Sequence, residues 1–373
     1  MDQFISNEKE VDALLLGLAF MGTGGGGTID MGKKLLMDAL QSGKKIELVQ
    51  LNELPDNALT ICAYMMGSSS PMTEEKRQKM KSYGLTDIKI NNMQAAAVQL
   101  MEKFTDLKVD AIMPLELGAA ATSGAISSAA WLGLPVIDAD YMGRALPEIS
   151  QTLPVIHGEK MLPLASVDRY QNEAIINHSS SYQMGERLGK SVASASFDLA
   201  GQAAFLLSVN KVKKVSLMNT ISSAFKLGKI IQKSIESKED VISAILSHFN
   251  GKSKVLFKGN ISKIDSYEQD GYFYGENHIK GNGEYTGNYY KIWFKNENIL
   301  GWFNDKVDIT SPDLIVIMDA KLGLPLLNGR ILPNQEVLVI GIEAHNSLKT
   351  EKALKVLGPR HYNFDFNYQP MKL

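Results

Sequence analysis

The sequence predicts an α/β N-terminal domain with a largely parallel sheet, followed by a mixed α+β C-terminal domain with a β-rich antiparallel part. Three observations carry this. Over residues 1–165, apolar β-branched runs alternate with stretches of helical spacing, as in successive strand–helix–strand units. After Gly251, short aromatic and β-branched runs follow one another closely, with Asn and Gly between them, as in a meander or small barrel. The 373 residues also exceed what one core usually holds, about 250–300 residues, so residues 1–165 and 166–373 read as two domains.

Each element has a local reason. Val11, Leu14, Leu15 and Leu18 fall at helical spacing, and Asn7 with Glu10 resembles a capping box. A run of glycines follows, then a second helix, IDMGKKLLMDALQSG, closed by Gly43. KIELVQL and ALTICAYMM read as strands separated by the turn cluster NELPDN. Thr73 opens a charged helix, with Lys76 where a capping box would place Glu, and NNMQAAAVQLMEKF is a further helix. VDAIMPLEL is a buried strand, SGAISSAAWLG a small-residue helix and LPVIDAD another strand. In the second half, ASFDLAGQAAFLL, MNTISSAFKLGKIIQKS and KEDVISAILSHF carry helical patterns. KVLFKGNISKI, GYFYGENHI, YYKIWFKN, ILGWFN, SPDLIVIMDA and QEVLVIGIEA are strands. The tail LGPRHYNFDFNYQP is aromatic and polar together, which favours docking on a domain over disorder.

Composition narrows the function classes. A formal charge of −2 argues against a dedicated nucleic-acid binder, which would carry a basic stripe. Cys62 is the only cysteine, so neither an intrachain disulfide nor a cysteine-rich zinc site can form. The opening MDQFISNEKEVD lacks the basic-then-apolar layout of a secretory leader, and no apolar run reaches the ~20 residues a bilayer span needs. A cytoplasmic location without membrane contact is the expectation.

GTGGGG, residues 22–27, is the most unusual local feature. A P-loop needs Lys-Ser/Thr after its last glycine, and here Thr28 and Ile29 follow Gly27. A dinucleotide fingerprint must follow a strand, and here a helix precedes it, so no nucleotide cofactor is expected. What remains is a helix–loop–helix in which Thr23, Gly24, Gly25, Gly26 and Gly27 offer bare amides to a ligand, backed by the next helix N-terminus. The plainer alternative is a bend where two helices pack closely.

Six segments together resemble one family: GTGGGG at 22–27, AYMMGSSSPMTEEK at 63–76, MPLELGAA at 113–120, GLPVIDADYMGRALPE at 133–148, SPDLIVIMDAKLGLPL at 311–326 and LGPRHYNFDF at 357–366. They are similar, in the same order, to the S-methyl thiohydantoin desulfurase family, whose members are often encoded beside or fused to hydantoinase/oxoprolinase-type proteins. The resemblance implies a two-domain protein and a hydrolase activity that replaces the methylthio group of a thiohydantoin ring by oxygen from water. This sequence departs from the family pattern at Ala119, where a second glycine is usual, at Ala121, at the position of an asparagine, and at Asn363 and Phe364 in the tail.

The chemistry needs an activated water, stabilisation of a tetrahedral intermediate and a grip on the ring. Glu116 ends the strand DAIMPLE just before Gly118, and Asp138 and Asp140 end LPVID. Ligands bind outside the carboxyl ends of strands in open parallel sheets, which places all three acids on the functional edge. Arg144 and Glu148 follow in GRALPE, completing a candidate catalytic set. Plainer roles exist beside each: turn capping for the aspartates, a loop-bracing salt bridge for Arg144. Tyr64, before Gly67, is placed to line a ring pocket or to pack in the core, while Lys76 reads as a solvated helix residue. Arg360 and Asp365 are placed to close the site, or else the tail is stapled by Tyr362, Phe364 and Phe366. The six histidines show no zincin spacing, and His361 is the one best placed for a role. A divalent metal on Glu116, Asp138 and Asp140 stays open, so the cofactor is unknown. Expected partners are a small cyclic amide or thiohydantoin, a hydantoinase/oxoprolinase-like protein, and further copies of the chain. Two other readings stand beside the enzyme: a non-catalytic partner subunit and a nucleotide-binding regulator.

Overall fold

The computed structural model describes residues 3–67, 73–197 and 199–372. Residues 68–72 of the segment AYMMGSSSPMTEEK lie outside them.

The first sheet has eight strands in the order Gln3–Ile5, Ile46–Val49, Val136–Ile137, Ala111–Met113, Leu59–Gly67, Leu199–Ser208, Leu164–Asp168 and Glu173–Ile176. The four from Ile46–Val49 to Leu59–Gly67 run parallel, and the others are antiparallel to their neighbours. Alternate residues of one strand feed opposite faces, as strand geometry requires. Ile61 and Ala63 enter one apolar cluster; Cys62 and Tyr64 enter the other. Both faces are covered, which is the condition for a parallel sheet.

One element differs from its sequence pattern. The stretch ASFDLAGQAAFLL reads as a helix, yet Leu199–Ser208 is a strand between Leu59–Gly67 and Leu164–Asp168. Its small residues serve packing rather than helix propensity. A Cβ at Gly201 would overlap the backbone of Met93, because the helix Met93–Thr105 lies directly on the strand. The hairpin Leu164–Asp168/Glu173–Ile176 that borders this strand carries too few residues to stand out in the sequence.

LPVIDAD is split. Val136–Ile137 belongs to the sheet, whereas Ala139–Asp140 pairs antiparallel with Leu217–Met218, in register Leu217↔Asp140. That pairing brings the aspartates to the start of the helix Thr220–Ser237. This helix crosses Glu8–Met21 where Gly17 and Gly228 let the two backbones touch.

The second sheet has seven antiparallel strands in the order Lys306–Thr310, Glu297–Phe303, Tyr289–Lys295, Tyr272–Gly281, Ser253–Gln269, Glu336–Ile342 and Leu314–Asp319. Its longest hairpin turns at Asp270-Gly271, both at positive φ, the Asp-Gly signature of a two-residue turn. The chain end docks on this sheet: Tyr362 and Phe364 pack edge-on against Trp293, and Phe364 also meets Trp302. Among the described residues no helix is long and apolar enough to cross a membrane.

Candidate active site

The glycine loop sits beside Glu116, at the seam between the two sheets. Gly26 packs on Gly118: a Cβ at Gly26 would lie 2.5 Å from Gly118 Cα, and its φ of +71° disfavours any side chain. The Gly26 carbonyl accepts from the amides of Ala120 and Ala121 at 3.0 and 3.1 Å, capping the helix Ala119–Leu132. The loop thus fills that helix N-terminus with its own carbonyl. On its other side, a Cβ at Gly25 would overlap Glu297 Oε1, and the Gly26 N–H faces the same carboxyl. Gly24 lies against the side chains of Asn298 and Asn328, and Gly27 against Ala120.

Glu116 lies three residues beyond its short strand. Its Oε2 accepts from the Leu146 amide at 3.0 Å, and the side chain keeps some accessible surface. Burial raises its pKa to about 7; the Asp140 and Glu186 charges push the same way, against the Leu146 N–H and Arg144. Asp140 is fully buried. Burial, with a contribution from Asp138, carries it to about 7 although its Oδ2 accepts from Met142 and Gly143 at 2.8 and 2.6 Å.

Arg144 is fully buried and donates every N–H to a neutral acceptor. It reaches Ala145 O, Pro312 O, Asp313 O, Thr23 Oγ1 and Asn298 O at 2.9–3.1 Å. It therefore clasps the glycine loop to the second sheet, and no donor is left for a ligand. Burial pulls its pKa down, while Tyr362, Glu297, Asp313 and Glu116 pull it up.

One acid whose charge acts on this guanidinium is Glu297, which the sequence does not single out. It opens the strand Glu297–Phe303, is 3% exposed, and its Oε2 is buried without a hydrogen-bond partner. Burial and then the Glu116 charge push its pKa well up, against Arg144 and the Gly26 N–H. Its one sequence signal is an acid set between two asparagines at the head of an otherwise apolar strand.

The remaining candidates lie elsewhere. Asp138 caps the helix Thr220–Ser237: its Oδ1 accepts from Ile221 and Ser222 at 3.0 Å each, and Gln50 binds its Oδ2. Glu148 pairs with Lys295 at 2.5 Å and with His361 at 3.1 Å; burial would raise it, but these two partners hold it at about 2. His361, rather than Arg360 or Asp365, ties the tail to the first domain. Arg360 and Asp365 pair with each other at the surface. Tyr64 lies in the core with its hydroxyl buried and unpartnered, and Gly67 is at the exposed strand end. A metal on Glu116, Asp138 and Asp140 does not fit this layout. Asp138 is fully engaged at a helix start, and no three His, Cys, Asp or Glu side chains among the described residues are grouped to hold an ion.

A crystal structure of a protein from Chromobacterium violaceum shares this fold: TM-score 0.79, 19% identity, 99% of each chain covered. No curated protein sequence matches the chain. Residues 9–178 match the S-Me-THD-like N-terminal domain, and residues 180–371 match the S-Me-THD-like C-terminal domain. The chain belongs to the S-Me-THD-like family.

Proposed function

We propose that the chain hydrolyses the methylthio-bearing carbon of a thiohydantoin-type ring, with Glu116 as the base. The observation that carries this is the state of Glu116: a half-buried residue three positions beyond its strand, its carboxyl fixed by the Leu146 amide and its pKa raised to about 7 by burial. A base is most effective when its pKa lies near the working pH. Membership of the S-Me-THD-like family supports a substrate of this class.

Glu116 takes a proton from water as the water oxygen bonds to the ring carbon and the C=N π pair moves onto the ring nitrogen. That pair re-forms the C=N bond as the carbon–sulfur bond breaks, and the departing methanethiolate receives the proton from Glu116. The remaining O–H proton passes to the ring nitrogen, and the products are the hydantoin ring and methanethiol.

The test is to incubate the purified protein with S-methyl thiohydantoins and follow methanethiol with a thiol reagent and the hydantoin by chromatography. Glu116→Gln is expected to lower turnover by on the order of 10²–10⁴-fold, the usual share of general-base catalysis, with an unchanged circular dichroism spectrum. Wild-type rates in that variant remove Glu116 as the base. No methanethiol from any such substrate, together with co-purification of a hydantoinase-type protein, refutes the enzyme in favour of a partner subunit.

A further inference from the structure

Tyr272 follows the Asp270-Gly271 turn at the tip of the longest hairpin and reaches across to the first domain. The ammonium of Lys190 lies 3.2 Å from its ring centroid, and that of Lys295 lies 4.0 Å away. Cations are drawn to the faces of an aromatic ring, so two lysines hold one tyrosine. The Tyr272 hydroxyl donates to Glu186 Oε1 at 2.8 Å. Burial, and then the Glu186 charge, push this phenol well up, so it stays a donor. Each lysine also has a glutamate partner: Glu186 for Lys190 at 3.0 Å and Glu148 for Lys295 at 2.5 Å, both pairs largely buried.

These two glutamates converge on one short segment, residues 146–151. Glu148 belongs to it, and Glu186 Oε2 accepts from its Ile149 amide at 2.9 Å. The first amide of the same segment, Leu146 N–H, is the donor that fixes Glu116. Only Pro147 and Glu148 separate Leu146 from Ile149, at most about 11 Å of chain. The fixed φ of Pro147 stiffens that link, so a shift at the Ile149 amide is carried to Leu146. The chain end fastens the far side of the segment: Gln151 donates to Val356 O and to the Tyr362 hydroxyl, and His361 pairs with Glu148. The side towards Glu116 is left to the hairpin.

We propose that Tyr272 is a positioning residue for Glu116: seated against Lys190 and Lys295, it ties the hairpin of the second sheet to residues 146–149 and so keeps the Leu146 amide on the Glu116 carboxyl. It acts through Glu186 and Ile149 by one route and through Lys295 and Glu148 by the other. The base is complete only while the hairpin tip is docked on the first domain.

The effect on catalysis rests on Glu116 as the base, but the tie itself is read without turnover. Hydrogen exchange followed by mass spectrometry compares the wild type with Tyr272→Ala. Exchange in residues 145–152 is expected to quicken by about tenfold through local opening, while the helices Glu8–Met21 and Ala119–Leu132 keep wild-type protection. Tyr272→Phe keeps the ring against both lysines and loses only the bond to Glu186, so the same residues should quicken by less. Quickening confined to residues 262–280, or spread evenly over the whole chain, overturns the proposal, because Tyr272 would then serve only its own hairpin or the stability of the whole. The pH profile gives a second readout. The charges that act on Glu116 or feel it, those of Asp140, Arg144, Glu186 and Glu297, are all retained in these variants, whereas the Leu146 bond, which favours the ionised form, is loosened. The acid limb of kcat/KM is therefore expected to move up in Tyr272→Ala by about half a unit, a threefold loss of rate below the limb. A limb at its wild-type position overturns the proposal. If no substrate turns over while exchange changes as expected, the hydrolase reading fails and the tie stands.

Discussion

Arg144→Met tests whether one side chain couples the two halves of the molecule. The substitution keeps an unbranched apolar stem, removes the guanidinium and loses five hydrogen bonds of 2.9–3.1 Å. At about 1.5–3 kcal/mol for each bond to a charged donor, simple addition gives roughly 8–15 kcal/mol. That sum is too large, since water and small shifts recover part of it and a buried charge is removed. Breaking a buried charged contact typically costs about 3–5 kcal/mol, and we expect that range. A domain is stable by about 5–15 kcal/mol, so the variant folds but is strongly weakened. Urea unfolding read by tryptophan fluorescence and by circular dichroism suits the question in a Trp131→Phe background, because the two remaining tryptophans, Trp293 and Trp302, are both in the second sheet. The two probes should report one transition in the wild type and separate ones in the variant. Arg144→Lys should recover only part of the loss, since a lysine ammonium has three donors and no planar fork. A stability within about 0.5 kcal/mol of wild type, the scale of a neutral surface change, with coincident transitions would refute the clasp.

Two further expectations concern the same seam. Asp140 is raised from 3.8 to about 7, so its ionisation is disfavoured by folding; its contribution is full below 3.8 and is lost as pH rises through about 7. Asp140→Asn, which still offers an oxygen to Met142 and Gly143, should flatten the decline of urea stability across that window, and an unchanged slope contradicts the assignment. Gly26→Ala places a Cβ 2.5 Å from Gly118 Cα at a φ of +71°, which should cost about 2–5 kcal/mol from the left-handed backbone and the overlap together. A thermal midpoint equal to wild type would show that the loop is not packed this way.

Local pattern disclosed the elements and hid their partners. Two helix starts were legible because caps are written in adjacent residues: Asn7 and Thr73 each accept from the amide three residues on. The strand Leu199–Ser208 was not, because alanine and glycine owe their place there to the helix lying across it, a fact of tertiary contact. The aspartates show the same limit. Asp138 and Asp140 sit at strand ends as the sequence implies, but their carboxylates accept from the amides of Ile221 and Ser222 and of Met142 and Gly143, and the first pair lies some eighty positions away.

The site itself divides along this line. Glu116 and the glycine run are each conspicuous alone, an acid closing an apolar strand and four glycines in sequence. They meet where Gly26 packs on Gly118; the acid on the loop's other side, Glu297, looks ordinary in the sequence, and its carboxyl takes the space beside Gly25. The glycines therefore serve less as a cradle for a foreign anion than as the gap through which the protein's own acids approach. The bare backbone and the buried cation thus belong to one seam: burial raises the proton affinity of Glu116 and Glu297, and the Arg144 charge, whose hydrogen bonds all go to neutral acceptors, works against that rise.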